Sequence, residues 1–233
     1  MKTTPDFQFD EFKHLGVDFD SPEEVAQFDR KQGTSVERDN ALLDRLGAGS
    51  DHVLVDLGCG TGHFACRAAL RCSEVHAVDI SPAMLDAGRR RAESIGVRNI
   101  SFHHAGFLTY EHAGVPADVV TTKSALHHLP DFWKVAALQH IHGMLRPGGT
   151  FYLWDAIFSF PPETYAESCR KWIDAFGSDD PGGFSRAEFA THIREEFSTY
   201  DWLMEPILAK CGFEIAEKNT PRETTVEYIC RRK

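Results

Sequence analysis

Val53-Leu54-Val55-Asp56-Leu57-Gly58-Cys59-Gly60-Thr61-Gly62-His63-Phe64 is the stretch from which the rest of the chain is read. Its first five residues are a short, mostly apolar run of the kind that fills a parallel strand buried on both faces. The glycines at 58, 60 and 62 then allow a tight turn and let a ligand approach the backbone without interference from a Cβ. A helix opening at such a turn presents its free N–H groups to that ligand. A glycine-rich turn alone is a weak signal, and it gains weight here from its position between a buried strand and a helix.

Working outward, the same alternation repeats. A helix is predicted over roughly 61–71, a second strand over Glu74–Asp79, and a helix capped by Ser81-Pro82 that ends near Gly96. Strands three and four are expected over Asn99–His104 and Ala117–Thr122. A helix follows from Asp131 to Leu145 and is broken by Arg146-Pro147-Gly148-Gly149, before a fifth strand over Thr150–Ile157. Repeated βα units with right-handed crossovers make a doubly wound sheet. The two last strands, about Phe213–Lys218 and Thr225–Arg231, are separated by six residues, too few for a parallel crossover, so they form an antiparallel hairpin. Upstream, a polar arm with Phe7, Phe9, Phe12 and Phe19 precedes a helix started by Ser21-Pro22-Glu23-Glu24 and another over Val36–Leu46. The expectation is a single domain, 1–233, in which residues 1–46 and a helical or irregular insertion at 159–210 form a lid.

Composition narrows the function. The chain has 233 residues, 42% hydrophobic and 26% charged, as in an ordinary globular domain. A net charge of −10 disfavours nucleic acid and anionic membranes, and no apolar run approaches the ~20 residues of a membrane span. The acidic start MKTTPDFQFDEF has no apolar signal region, and none of the six cysteines forms a Cys-x-x-Cys pair, which together suggest a cytoplasmic protein with reduced thiols. Twelve histidines, among them His103-His104, His127-His128 and the pair His140 and His142, show no His-Glu-x-x-His spacing, so no metal is expected.

The glycine turn admits more than one nucleotide ligand. A nicotinamide or flavin site wants a glycine six positions into the motif, where this chain has His63. Asp56, at the end of strand one, suits the cationic amino group of an amino-acid ligand and would sit badly against a pyrophosphate. Asp79, at the end of strand two, can accept two hydrogen bonds from a ribose diol.

VLVDLGCGTGHFA, VDISPAMLDAGR, DVVTTKSALHHLPD and MLRPGGTFYLWD resemble the successive motifs of class I S-adenosylmethionine-dependent methyltransferases of the small-molecule, type 11 kind, over about residues 50–158 plus the final hairpin. The resemblance implies a Rossmann-like α/β fold with helices on both faces, a seven-stranded sheet of order 3-2-1-4-5-7-6 with its last strand antiparallel, and S-adenosyl-L-methionine as cofactor. It also implies that Gly58, Cys59 and Gly60 lie against the methionine part, that Asp79 holds the ribose, that Ile80 and Met84 pack on adenine, and that Lys123 and Ser124 sit beside the sulfonium. One departure stands out. Where the family usually has an acid after strand three, this chain has Gly106, so backbone groups of Gly106 and Phe107, with the Phe107 ring on adenine, are expected to take over.

For chemistry, His128 follows strand four at the mouth of the sheet and is a candidate base or substrate contact. Asp155 ends strand five and is expected to face the same crevice. Tyr165 and Trp172, in the lid segment, offer aromatic faces that attract a sulfonium or ammonium. The reading is methyl transfer to a small-molecule O, N, S or C nucleophile by a monomer or homodimer. One alternative keeps the cofactor but cyclises or cleaves it, releasing methylthioadenosine. Another is a methyltransferase-like subunit that binds cofactor poorly and supports a partner.

Overall fold

A computed structural model describes residues 5–13, 20–180 and 182–233. Phe19 of the arm lies outside them. The elements that matter for the site begin with α1 (Pro22–Lys31) and α2 (Val36–Arg45), both capped by serines, Ser21 and Ser35, that accept from a backbone N–H of the first turn. The domain proper follows as β1 (Val53–Leu57), α3 (His63–Ala69), β2 (Glu74–Asp79), α4 (Pro82–Ile95), β3 (Ile100–His104), β4 (Ala117–Lys123), α5 (Asp131–Met144) and β5 (Leu145–Asp155). β1 is buried along its whole length, as the apolar run requires of a central parallel strand.

The sheet has seven strands in the order β3-β2-β1-β4-β5-β9-β8, where β8 (Phe213–Arg222) and β9 (Thr225–Arg232) are the terminal hairpin. Leaving out two short strands described below, this is the expected order. β9 runs antiparallel to both β5 and β8. Two apolar clusters cover the faces: Leu126, Leu138, Ile141, Phe151, Leu208, Phe213 and Tyr228 belong to one, and Leu43, Leu54, Phe64, Ala65, Leu85 and Ile229 to the other.

Two expectations are corrected in the second half. Helix α5 does break before Arg146–Gly149, at Met144, but those residues are already part of β5, which begins at Leu145 and is irregularly paired to β4 between Ala117 and Val119. β5 then stops at Asp155, not Ile157. Ile157–Phe158 leave the sheet as β6 and pair in parallel with Thr199–Tyr200, β7, a strand inside the stretch read as helical or irregular. Between these short strands lie α6 (Tyr165–Phe176) and α7 (Arg186–Glu195). The last helix of the segment, α8 (Asp201–Lys210), packs against β8 and sends Met204 and Leu208 into the main core. The segment over the crevice is therefore α6 to β7, and α8 belongs to the sheet's own covering.

Candidate active site

The glycine turn takes the backbone shape its composition suggested. Gly58, Gly60 and Gly62 have φ of 72°, 52° and 68°, in the left-handed region where a side chain is strained. Gly58 and Cys59 donate their N–H groups to Val78 O at 2.8 and 3.0 Å, which fastens the turn to the end of β2. Asp79 completes the join: its carboxylate accepts from Gly60 N at 2.8 Å and from Ser81 N at 2.9 Å. Burial pushes the Asp79 carboxyl up, against the backbone N–H groups that favour its charge.

Around this turn lies a cavity walled by Gly58, Gly60, Asp79, Ile80, Met84, Gly106, Phe107, Lys123 and Ser124, nine of the eleven residues expected to hold the cofactor. The other two, Asp56 and Cys59, line an adjoining cavity that shares Gly58, Lys123 and Ser124 with the first. Asp56 is 2% exposed and accepts from Thr121 Oγ1 at 2.7 Å. Burial raises its carboxyl to about 6, although the nearby Lys123 ammonium pulls the other way. Lys123 itself lies 4.2 Å from the Phe64 ring centroid and 3.4 Å from Asp39.

Among the wall residues that were not anticipated, Glu11, Phe28 and Gln32 come from the N-terminal region. Glu11 fills the space where a side chain at Gly106 would stand. Its carboxylate accepts from Leu108 N at 3.0 Å and from Thr109 Oγ1 at 2.7 Å, and it is 7% exposed. The acid missing after β3 in sequence thus has a counterpart from 95 residues earlier in the chain (106 minus 11). Burial raises its pKa, partly offset by those hydrogen bonds. Phe28, from α1, lies over the turn, its Cε1 2.7 Å from where a Cβ on Gly60 would be. α1 is anchored there by Asp29, which meets the Thr61 hydroxyl and the Arg91 guanidinium. Gln32, at the end of α1, also lines the cavity. No local sequence pattern marks these residues, because their role depends on where the arm folds.

A third cavity opens on the other side of Ser124, beneath α6 and α7. It is lined by Trp154, Trp172, Phe176, Phe184, Phe189 and Arg222, among others, and shares Gln32, Ser124 and His128 with the first. Ser124 is the sole non-glycine with positive φ (51°) among the described residues, a strained conformation of the kind that clusters at functional sites.

The three candidates for chemistry fare differently. His128 lies where the first and third cavities meet. Burial and the neighbouring His127 charge push its imidazole down to about 3, so it is neutral at pH 7. Asp155 does not face the crevice as expected. It is 2% exposed, takes His127 N at 3.0 Å and Ala156 N at 2.8 Å, and pairs with His127 Nδ1. Tyr165 is also misplaced by the sequence reading: it opens α6 with 63% of its surface exposed and lines none of the three cavities, because it stands on the outward side of a turn whose inner side carries Ser168. Trp172, two turns on, does reach the third cavity.

His127 is the centre of a cluster that spacing did not reveal. Its Nε2 is 3.2 Å from Glu196 Oε2, the same oxygen that His192 Nδ1 meets, and His192 Nε2 lies 2.8 Å from Ser198 Oγ. Burial disfavours a charge on His127, but the Asp155 and Glu196 carboxylates outweigh it and raise the imidazole to about 10. Lys134, buried in α5, ties the same corner together through Asp131 and the carbonyl of Phe197.

Comparison with known proteins agrees with this architecture. A family described as "methyltransferase domain" matches residues 54–149. An uncharacterized methyltransferase of Mycobacterium tuberculosis is 35% identical over 111 residues, 48% of this chain and 54% of that protein. The 27-O-demethylrifamycin SV methyltransferase of Amycolatopsis mediterranei is 29% identical over 175 residues, 72% of this chain and 63% of the relative. The chain thus spans roughly half to two thirds of the length of these relatives. Among solved structures, magnesium protoporphyrin IX methyltransferase from Synechocystis with bound S-adenosylmethionine superposes with a TM-score of 0.65 at 16% identity, covering 98% of this chain and all of that one, a likeness of fold. Residues 54–149 of this chain thus match the methyltransferase-domain family, and the glycine turn and the strand order agree with that likeness.

Proposed function

We propose that the whole chain transfers a methyl group from S-adenosylmethionine to a nucleophilic atom of a small, partly aromatic molecule. The observation that carries this reading is the pair of cavities meeting at Gln32, Ser124 and His128. One, built on the glycine turn, suits the cofactor. The other, walled by Trp154, Trp172, Phe176, Phe184 and Phe189, offers a second molecule its own aromatic space. Cyclisation or cleavage of the cofactor needs no second cavity, so this arrangement favours transfer. The relative acting on 27-O-demethylrifamycin SV supports a small-molecule acceptor.

Within that reading, Gly58, Cys59 and Gly60 run along the methionine part, with Asp56 toward its ammonium. Asp79 takes the ribose, Ile80, Met84 and Phe107 pack on adenine, and Glu11 stands where it can accept from the adenine amino group. Lys123 and Ser124 flank the sulfonium. Methyl transfer draws mainly on orientation of the two reactants, plus a base where the nucleophile carries a proton. His128 lies at the junction as a contact to the acceptor: pushed down to about 3, its imidazole is a neutral hydrogen-bond partner and a weak base. Asp155 acts through His127 instead, holding the floor of the acceptor cavity. Residues 5–13 and 20–46, with α6 and α7, act as the lid: Lys31 of α1 bonds Glu188 of α7 at 2.9 Å, which couples the two halves.

Mass spectrometry of products formed from S-adenosylmethionine and a panel of phenolic and polycyclic metabolites tests the proposal. The expected result is S-adenosylhomocysteine together with an acceptor heavier by one methylene. Enzyme-dependent release of methylthioadenosine without any acceptor would overturn it in favour of cyclisation or cleavage.

A further inference from the structure

His127, His192 and Glu196 are brought together by two parts of the chain that have no sequence relation. His127 follows β4, and the other two sit four residues apart, His192 in the last turn of α7 and Glu196 as its C-cap. Among the described residues, this is the one group of three histidine, cysteine or acidic side chains whose ligand atoms all lie within 4.8 Å of one another. The orientation of the rings is the second observation. His127 turns Nε2 inward, 3.2 Å from Glu196, while its Nδ1 is taken by Asp155. His192 turns Nδ1 inward to the same carboxylate, while its Nε2 is 2.8 Å from Ser198 Oγ. Each imidazole therefore has its outer nitrogen held by an oxygen and its inner nitrogen aimed at a common point. Metal-ligating histidines are oriented this way, with a carboxylate or hydroxyl fixing the tautomer from behind. The third observation is the cavity: all three residues line the acceptor-side space, with Ser124, His128 and Trp172 around them.

We propose that His127 Nε2, His192 Nδ1 and the Glu196 carboxylate bind a divalent transition-metal cation at the floor of the acceptor cavity. Two imidazoles and one carboxylate suit zinc, iron(II) or manganese far better than calcium or magnesium, which want oxygen ligands. Three protein ligands leave coordination positions open, as in catalytic sites. Those positions face the space proposed for the acceptor, so an oxygen of that molecule is the natural further ligand. The same three side chains, with Asp155, also make sense as ion pairs that pin α7 to the sheet, and that is the competing account to be excluded.

The test uses the full chain without an affinity tag, stripped of metal by chelation. Zinc and manganese are titrated in by calorimetry, and cobalt(II) is followed by its visible absorption, with Glu196→Gln and His192→Ala measured beside the parent and His103→Ala as a control from a different histidine pair. The expected result is one saturable site per chain, with cobalt bands of an imidazole-ligated centre. Affinity should fall at least tenfold in Glu196→Gln and His192→Ala, but not in His103→Ala, and S-adenosylmethionine affinity should be unchanged in all four. Absence of a saturable site in the parent overturns the proposal and leaves the ion-pair account. A site retained at full strength in both cluster variants overturns it as well. Glu196→Gln keeps the size and a hydrogen-bonding oxygen, so it decides the matter should His192→Ala fail to fold. None of these outcomes depends on methyl transfer being the reaction.

Discussion

On one side of Ser124, the cavity is built on backbone and the ends of strands, the glycines of the turn, the carboxylate that closes β2 and the first residues of α4, with Glu11 and Phe28 of the N-terminal region closing over it. On the other side, it is side chains from helices far apart in sequence: Trp172 and Phe176 from α6, Phe189 and His192 from α7, with Trp154 from β5 beneath them. The first wall is set by local rules. A positive φ at Gly58, Gly60 and Gly62 and a tight strand-to-helix turn leave little freedom for anything else. The second wall is set by packing between helices and can change with little effect on the sheet. A cofactor common to many relatives suits the first, and an acceptor that differs from one to the next suits the second.

The most direct way to break this contrast is at the turn itself. Gly60→Val places a β-branched residue at φ 52° and drives its Cβ toward the Phe28 ring. Binding of S-adenosylmethionine should fall beyond calorimetric detection, more than about a hundredfold, while circular dichroism still shows the α/β fold. Normal binding by a folded variant would mean that the turn is not where the cofactor lies.

Asp79→Ala should have the next largest effect. If Asp79 receives both ribose hydroxyls, the variant loses two charge-assisted hydrogen bonds, and at the lower end of their usual range, roughly 1.5 kcal/mol each, the affinity falls about a hundredfold. Asp79 also clasps Gly60 N and Ser81 N, so a lower melting temperature is expected alongside. A fall in melting temperature with cofactor affinity unchanged would reduce Asp79 to that clasp.

How much of this was legible follows the same divide. The central sheet and its order could be read, and nine of the eleven residues expected to hold the cofactor line one cavity, because most lie near a strand end or a glycine turn, where spacing along the chain fixes spacing in space. Glu11 and Phe28 were invisible because they reach the cavity through the fold of the arm, with no periodicity to announce it. Asp155 was placed on the right strand end but given the wrong direction, since its partner, His127, is decided by the turn after β4. Tyr165 shows the limit of composition: an aromatic residue in a lid segment has two sides to face, and only the packing of α6 on α7 chooses. His192 and Glu196 form a pair at helical spacing, a signal that becomes meaningful only once His127 stands opposite.

The smallest expected effect concerns Asp56, and it sharpens the contrast because it asks whether the cofactor wall recognises charge as well as shape. The carboxyl is buried beneath Gly58 and held by Thr121, and burial raises it to about 6. The sign follows directly. At pH 5 the folded protein carries most of this group protonated, and at pH 7 it is mostly ionised. Only the ionised form attracts the cofactor's α-ammonium, which keeps its own proton throughout this range. Affinity should therefore rise with pH by about tenfold between pH 5 and 7, since the ionised fraction changes from about one tenth to about nine tenths, and turn down toward pH 8 as the ammonium begins to lose its own proton. Asp56→Asn should bind more weakly than the parent at pH 7 and lose most of this slope. Asp79 is also raised by burial, so a residual slope in Asp56→Asn would report on it. Calorimetric titrations of both proteins at half-unit intervals from pH 5 to 8 provide the measurement. If the parent's affinity is flat across that range, Asp56 does not meet the ammonium, and the turn recognises the methionine part of the cofactor by backbone and shape alone.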